Sequence, residues 1–279
     1  MTRNRTLARF LVLLWMCVSA GPLIAAERVV SINMCADQLL LALAEPGQIA
    51  GLSPYAGDTR LSFMADQAGD HRAGIGTAEQ VVQLDPDLVI AGRFTRRATR
   101  DMLSRLGYEV MLLDPARSID ESIAQIGTVA ARLGAHDKGA AMIADIRAAM
   151  SEASVSADDG PSAAIYQRRG WVTGGATLSE ELLALAGLAN HGAALAPGRG
   201  GFVTLEHLVR TPPDVLVVAD DSPTADDQGS ALLAHPALNA LFPPERRLVL
   251  PERLTVCGGP SLPAAIRWLT SEAERLQLR

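Results

Sequence analysis

One pattern occurs twice in this chain, at residues 77–90 and again at residues 204–217. Four residue types keep their places in both copies, 127 positions apart and without a gap: Thr77 and Thr204, Glu79 and Glu206, Pro86 and Pro213, and Asp87 and Asp214. Each copy predicts a short helix capped by the threonine, then a Pro-Asp turn and a buried strand. An internal repeat of this kind indicates that the chain builds one structural unit twice.

Short apolar segments alternate with helical patterns on both sides of each copy. In the first half, the pattern predicts strands at 28–32, 48–52, 88–91 and 110–113 and helices at 37–44 and 97–106. In the second half, it predicts strands at 163–166, 215–219 and 248–250, a helix at 179–188 and a partly helical stretch at 231–241. This alternation favours an α/β fold of two similar lobes, each with a parallel central sheet.

The segment between the two halves predicts how the lobes are connected. Apolar residues fall at helical spacing between 120 and 154, with Gly134 as an interruption, so we expect one long or broken connecting helix. The predicted lobes are then residues 27–119 and 155–279, with the connecting helix at 120–154. Two such lobes leave a cleft between the carboxyl ends of their strands, a favoured place for a small-molecule ligand.

Residues 1–26 have the pattern of a secretory signal peptide. Three arginines precede an apolar run at 10–18, and small residues lead to a predicted cleavage site after Ala26. The run is short for a transmembrane helix, and an uncleaved N-terminal anchor is the alternative. Removal of this segment leaves 22 basic and 31 acidic residues. The acidic balance argues against nucleic acid as the main partner of the exported protein.

The loops predicted after the strands concentrate arginines and the scarce aromatic residues. They contain Tyr55, Arg93, Phe94, Arg168, Arg169, Trp171, Arg199, Phe202 and Arg253. Guanidinium groups suit anionic oxygens, and an aromatic wall suits a flat surface, so the set predicts a bulky, partly flat, anionic chelate as ligand. The alternative is that the arginines are solvated and the aromatic side chains cap the cores of the lobes.

Several of these segments together resemble the periplasmic substrate-binding proteins of ABC importers for metal chelates. The resemblance rests on Arg28-Val-Val-Ser31, on both copies of the repeat, and on Trp171-Val-Thr-Gly-Gly175 with Glu181-Leu-Leu. It spans essentially the whole chain after residue 26 and implies two lobes joined by a helix around a ferric siderophore, haem or cobalamin. It also implies a monomeric periplasmic protein with an ABC permease and its ATPase as partners, without enzymatic activity or a cofactor of its own.

The resemblance also assigns roles to particular residues. In that family one glutamate on each lobe docks into a basic pocket of the permease, and the matching positions are Glu79 and Glu206. The alternative is that both carboxylates only stabilise the N-termini of their helices. The family's cobalamin binders have a richer aromatic cleft than this chain predicts, so ferric siderophore is the first choice of ligand, ahead of haem and cobalamin.

Two cysteines, Cys35 and Cys257, follow the predicted cleavage site, on predicted loops of opposite lobes. A disulfide between them, thiolate ligation of a soft metal and two ordinary buried thiols are the three alternatives.

The five histidines are widely spaced, so no metal site is predicted. A binder of free metal ions and an exported α/β enzyme are the remaining alternatives in function. The chain has neither a G-x-S-x-G motif nor a complete dinucleotide-binding motif, which argues against the enzyme.

Overall fold

The computed structural model describes residues 25–153, 160–219 and 231–276. The predicted signal peptide therefore lies outside the described residues except for Ala25 and Ala26, and most of the acidic stretch that follows residue 219 also lies outside them. None of the helices in these three ranges has both the length and the apolar character needed to span a bilayer.

The N-terminal lobe is built on a four-stranded parallel sheet with the strand order β2-β1-β3-β4. Its strands are β1 (Val29–Ser31), β2 (Ile49–Gly51), β3 (Leu88–Gly92) and β4 (Val110–Leu113). The central strand β3 is buried along its whole length, as expected for a sheet covered on both faces. The helices of this lobe are α1 (Met34–Leu43), α2 (Ala78–Val82) and α3 (Arg97–Arg105), with short 3-10 turns at Pro46–Gln48 and Ala65–Asp70.

The connection between the lobes consists of two helices, α4 (Ile119–Leu133) and α5 (His136–Ala153). The hydroxyl of Ser118 accepts a hydrogen bond from the Glu121 amide at the start of α4. Gly134 ends α4 in the left-handed conformation, with φ at 69°, because glycine has no Cβ to clash there. The predicted connecting helix is therefore interrupted, and its second part packs on both α4 and the C-terminal helix α10 (Leu262–Arg275).

The C-terminal lobe repeats the parallel architecture with the strand order β10-β9-β5-β7. A separate antiparallel pair, β6 with β8, lies beside it. The strands are β5 (Ser162–Ile165), β6 (Trp171–Thr173), β7 (Ala189–Asn190), β8 (Gly200–Phe202), β9 (Val215–Val218) and β10 (Arg247–Val249). The remaining helices are α6 (Leu178–Leu185), α7 (Gly192–Leu195), α8 (Leu205–Arg210) and α9 (Pro236–Leu241), with 3-10 turns at Arg168–Gly170, Pro244–Arg246 and Glu252–Leu254.

Every strand predicted from the sequence occurs, with ends within one residue of the prediction. The sequence patterns did not predict β6, β7, β8, α7 or α10. The first three lie in glycine-rich segments, which usually indicate loops. Glycine is required in β8, because a Cβ on Gly200 would stand 2.3 Å from the carbonyl oxygen of Val172.

Three sequence predictions of local structure were wrong. Trp171 and Phe202 lie on the paired strands β6 and β8 and not on loops, because the close backbone approach allowed by Gly200 brings the two segments together. Cys35 lies in the first turn of α1, whose N-terminus is capped by the side chain of Asn33.

The largest hydrophobic core runs through both lobes. It includes Leu40 of α1, Ile126 of α4, Ile146 of α5 and Leu269 of α10, all buried. The helical connection is therefore part of a continuous packed core, which makes it stiffer than a polar linker. The boundaries between lobes and connector at residues 119 and 154 stay a prediction.

Candidate functional site

The carboxyl edges of the two parallel sheets face each other. The segment after β4 and the segment after β10 line one pocket of about 200 Å³ between the lobes. We call it the interlobe pocket; it is lined by Cys35, Leu39, Asp114, Pro115, Ala116, Gln125, Thr173, Thr177, Leu178, Ser179, Thr255, Val256, Cys257 and Gly258. The cleft thus lies where the carboxyl-edge rule for parallel sheets predicts it.

One ion pair joins the two lobes along this cleft, and two hydrogen bonds join α4 of the connection to the C-terminal lobe. Arg60, in the segment that follows β2, pairs with Glu252 after β10 at 3.1 Å. At the start of α4, the Glu181 carboxylate accepts a hydrogen bond from the Ile119 amide at 2.7 Å. The buried hydroxyl of Ser122 accepts one from the Gly259 amide, also at 2.7 Å. Together these contacts link the C-terminal lobe to both the N-terminal lobe and the connection.

The structure joins Cys35 to Cys257 in a disulfide whose Cα atoms are 5.4 Å apart. The two residues are 222 positions apart in sequence and belong to opposite lobes, so the bond links the lobes covalently at the wall of the interlobe pocket. Bonded in this way, neither sulfur is available as a thiolate ligand.

Three of the aromatic side chains predicted to contact the ligand are unusually exposed. Tyr55 follows β2 and Phe94 follows β3, with 54% and 84% of their surfaces exposed. On the other lobe, Phe202 is 72% exposed and packs edge-to-face on Trp171, with ring centroids 5.1 Å apart. Exposed aromatic side chains of this size are candidates for contact with a partner or ligand.

The first of the four arginines predicted to contact the ligand already has a partner. The Arg93 guanidinium donates two hydrogen bonds to the Asp114 carboxylate, at 2.5 and 2.7 Å. These bonds raise the pKa of Arg93 and lower the pKa of Asp114. Arg93 is therefore already hydrogen-bonded to a carboxylate before any ligand arrives.

A second ion pair extends this network across the cleft. Arg117 pairs with Glu121 on α4, and the hydrogen bonds between them lower the pKa of the Glu121 carboxyl. The positive charge of Arg199, from the other lobe, lowers that pKa further. Arg93, Asp114, Arg117, Glu121 and Arg199 thus form one charged network at the margin of the cleft.

The other predicted arginines are exposed on short turns of the C-terminal lobe. Arg168 lies in the turn Arg168–Gly170, and Arg253 lies in the turn Glu252–Leu254. Neither these nor any other of the eight residues predicted to contact the ligand lines the interlobe pocket.

Sequence reasoning missed the segment after β4. Asp114 and Ala116 line the interlobe pocket, and Gln125 reaches it from α4 while donating a hydrogen bond to the Asp114 carbonyl at 2.6 Å. The signal was present, because the carboxyl-edge rule that selected the loops after the first three strands applies equally to the fourth.

Glu79 and Glu206 occupy equivalent places at the starts of α2 and α8. Each follows a threonine cap, and both side chains are exposed. A hydrogen bond from its own backbone amide and one from the neighbouring threonine lower the pKa of each carboxyl. His235 adds a further lowering effect at Glu206. Neither carboxylate forms an ion pair within the described ranges.

No cluster of three or more histidine, cysteine, aspartate or glutamate residues suited to a metal ion occurs in the part of the chain that the structure describes.

Comparison with known proteins now identifies the fold. Residues 29–242 match the model of a family described as periplasmic binding protein. The chain belongs to that family. Its members are the substrate-binding components of ABC importers, which places the chain among solute-binding proteins rather than enzymes. The predicted family and the predicted two-lobed α/β fold are both confirmed.

Two curated relatives are cobalamin-binding proteins from two strains of Halobacterium salinarum. They are 27% identical to this chain over 213 residues, which is 75% of this chain and 58% of the relative. The chain therefore matches less than two thirds of the length of these relatives.

Solved structures with the same fold include haem and cobalamin binders. The periplasmic haem-binding protein BhuT, solved with two haems, superposes with a TM-score of 0.70 at 25% identity, covering 90% of this chain and 98% of that one. The vitamin B12 binding protein BtuF of Vibrio cholerae superposes with a TM-score of 0.68 at 15% identity, covering 91% and 99%. The second likeness is one of fold alone.

Proposed function

We propose that this protein captures cobalamin, or a closely related corrinoid, in the periplasm and delivers it to an ABC permease. The observation that carries the proposal is the exposure of three of the four aromatic side chains predicted to contact the ligand: Tyr55, Phe94 and Phe202, with Trp171 packed against the last. This exposure offers a ligand more aromatic surface than the small number of aromatic residues in the sequence indicated. A flat metal macrocycle offers a large apolar face that such side chains bury favourably.

The charge distribution favours this ligand over the ferric siderophore that the sequence placed first. The siderophore argument depended on free arginines, and Arg93 is held by Asp114 through two hydrogen bonds. An anionic chelate would have to break that pair or share its arginine with a carboxylate. A macrocycle with amide side groups needs no such exchange. The name of the Halobacterium relatives supports the same choice.

Haem is the second candidate. The structure of BhuT with two haems, 25% identical to this chain, favours it. Tyr55 adds a specific observation, because a phenol oxygen is one of the side-chain ligands that hold haem iron and this one is exposed at the cleft.

Glu79 and Glu206 are proposed to dock the loaded protein on the permease. Each is an exposed carboxylate at a helix start on a different lobe, ionised at neutral pH, and its pKa is lowered further below the ordinary value. Two such charges, one per lobe, suit a permease that presents a basic pocket to each lobe.

Tryptophan fluorescence tests the ligand. Protein comprising residues 27–279 is titrated with cyanocobalamin, haemin, ferric hydroxamate and catecholate complexes, ferric citrate, and Fe³⁺ or Zn²⁺ alone. Saturable quenching by cyanocobalamin at micromolar concentration or below is expected. Quenching only by haemin or only by a ferric siderophore would contradict cobalamin as the ligand but would leave the proposed role in transport unchanged.

Two variants locate the signal. Residues 27–279 contain two tryptophans. Trp268, on α10, donates a hydrogen bond to the Val249 carbonyl at 2.8 Å, whereas Trp171, on β6, packs on Phe202. Trp171→Phe should abolish the quenching, and the matched control Trp268→Phe should preserve it. Quenching that persists in Trp171→Phe would place the ligand elsewhere.

A further inference from the structure

A buried carboxylate on α1 supports the loop that carries Tyr55. Asp37 is fully buried, and its two oxygens accept hydrogen bonds from the amide of Ser53 at 3.0 Å and from the hydroxyl of Ser53 at 2.5 Å. The Ser53 hydroxyl in turn accepts a hydrogen bond from the Tyr55 amide at 3.2 Å. Two hydrogen bonds therefore join the helix to Ser53, and a third joins Ser53 to the backbone of the exposed tyrosine.

The neighbouring helix residue holds the other end of the same loop. The side-chain carbonyl of Gln38, also fully buried, accepts a hydrogen bond from the Phe63 amide at 3.3 Å. Residues 53–63, here called the tyrosine loop, are thus held at both ends by consecutive residues of α1. The loop also carries Arg60, which pairs with Glu252 of the other lobe.

Stability alone does not account for Asp37. Burial raises the pKa of its carboxyl to about 6, although hydrogen bonds with Ser31 and Ser53 lower it in part. At neutral pH the fold therefore keeps an ionised group in a site that penalises its charge. The groups that face it are the hydroxyls of Ser31 on β1 and Ser53 after β2, and none of its hydrogen-bond partners in the described ranges is charged.

We propose that Asp37 is a positioning residue that holds Tyr55 in its ligand-binding place by fixing Ser53. Two acceptor oxygens on one rigid helix orient both the amide and the hydroxyl of Ser53, which a neutral amide side chain cannot do with two acceptors. The proposal rests on the proposed function only in that Tyr55 contacts the ligand. The hydrogen-bonded chain itself does not depend on which ligand is bound.

Hydrogen exchange without ligand tests the positioning directly. Asp37→Asn and Ser53→Ala should speed amide exchange in peptides covering 53–63 by about tenfold, because each removes a hydrogen bond that holds the loop. Ser53→Thr restores the hydroxyl and should return exchange towards wild type. Ser62→Ala is the matched control, since this buried hydroxyl of the same loop has no hydrogen-bond partner within the described ranges.

Binding as a function of pH tests the consequence. Cyanocobalamin and haemin are titrated between pH 5 and pH 8, and wild-type affinity should weaken about five- to tenfold as the pH falls through about 6 and one Asp37 oxygen becomes a donor. Asp37→Asn should be weak throughout and lose that pH dependence. If Asp37→Asn does not fold, Ser53→Ala carries the test.

Unchanged exchange in Asp37→Asn or Ser53→Ala, relative to Ser62→Ala, would overturn the proposal whatever the ligand. Faster exchange with no chelate bound by the wild type would overturn the proposed function and leave the loop-holding role of Asp37 standing. Faster exchange with unchanged affinity would show that the tyrosine loop does not contact the ligand.

Discussion

The two copies of the repeat use their shared aspartate and threonine in the same way. The Asp87 carboxylate accepts hydrogen bonds from the amides of Glu27 and Arg28, just before β1. The Asp214 carboxylate accepts them from the amide and hydroxyl of Ser162, at the start of β5. In each lobe the aspartate of the Pro-Asp turn holds the first strand of the sheet. The threonine caps the helix that precedes the turn.

The copies differ around their glutamates. In the first copy, Gln80 reaches back to the Thr77 amide and completes a capping box. In the second copy, His207 stands at that position, and a groove beside Glu206 is lined by Arg169, Phe202, Val203, Thr204, Leu205, Leu232 and His235. The shared threonine and aspartate therefore form part of the scaffold in each lobe. The shared glutamate differs from them, because it has no ion-pair partner among the described residues.

The largest effect is expected from removing both glutamates. Glu79→Ala combined with Glu206→Ala should abolish uptake of cyanocobalamin into cells that carry the permease, because both docking charges are lost, while affinity in solution stays unchanged. The matched control is Glu245→Ala, which removes a first-turn glutamate from another helix start. Normal uptake by the double variant, or a loss of ligand affinity, would contradict the docking assignment.

Breaking the disulfide should show how far the two lobes depend on their covalent link for stability. Cys35→Ser with Cys257→Ser should lower the free energy of unfolding by about 2–5 kcal/mol, since the bond closes a very long loop of the unfolded chain. Urea unfolding measures the change. Reducing agent should shift the wild type by the same amount and the double variant not at all; an equal shift in both would place the effect elsewhere.

Removing the shared aspartates one at a time tests whether the two copies are equivalent. Asp87→Asn and Asp214→Asn should each lower the free energy of unfolding by about 1 kcal/mol, a modest value because exposed charges are screened. Urea unfolding of both variants checks the prediction. A large loss of unfolding free energy in only one of the two variants would show that the two aspartates match in sequence but do not contribute equally to stability.

The second copy should show a small additional sensitivity to acid. Hydrogen bonds from Ser162 lower the pKa of the Asp214 carboxyl below its ordinary value. A lowered pKa contributes stability at pH values above the ordinary pKa, near 4, and that contribution is lost as the pH falls through the folded value. Below pH 4, the free energy of unfolding of Asp214→Asn should therefore decrease less steeply with falling pH than that of the wild type. An acid limb identical to that of the wild type would count against this role of Ser162.

Local pattern was enough to predict most of the scaffold. The strand at Val110–Leu113 was predicted to the residue, because it is a short β-branched and apolar run bounded by polar residues, although only Leu113 of the four is buried. The strands β6 and β8 were missed because their glycines are required by close contact with another segment, which no local pattern reveals. The pocket residue Asp114 was missed because the loop after the fourth predicted strand was not considered, and Gln125 was missed because its segment was interpreted only as the connecting helix.

The sequence by itself determined the repeated α/β architecture, the threonine caps and the family, since hydrophobic periodicity and capping act over a few neighbouring residues. Only the tertiary structure decided which charges are free and which cysteines are joined. Arg93 lies 21 residues from Asp114, Asp37 lies 16 from Ser53 and Cys35 lies 222 from Cys257. These pairings depend on where distant strand ends meet, and that is set by packing of the whole chain rather than by local propensity.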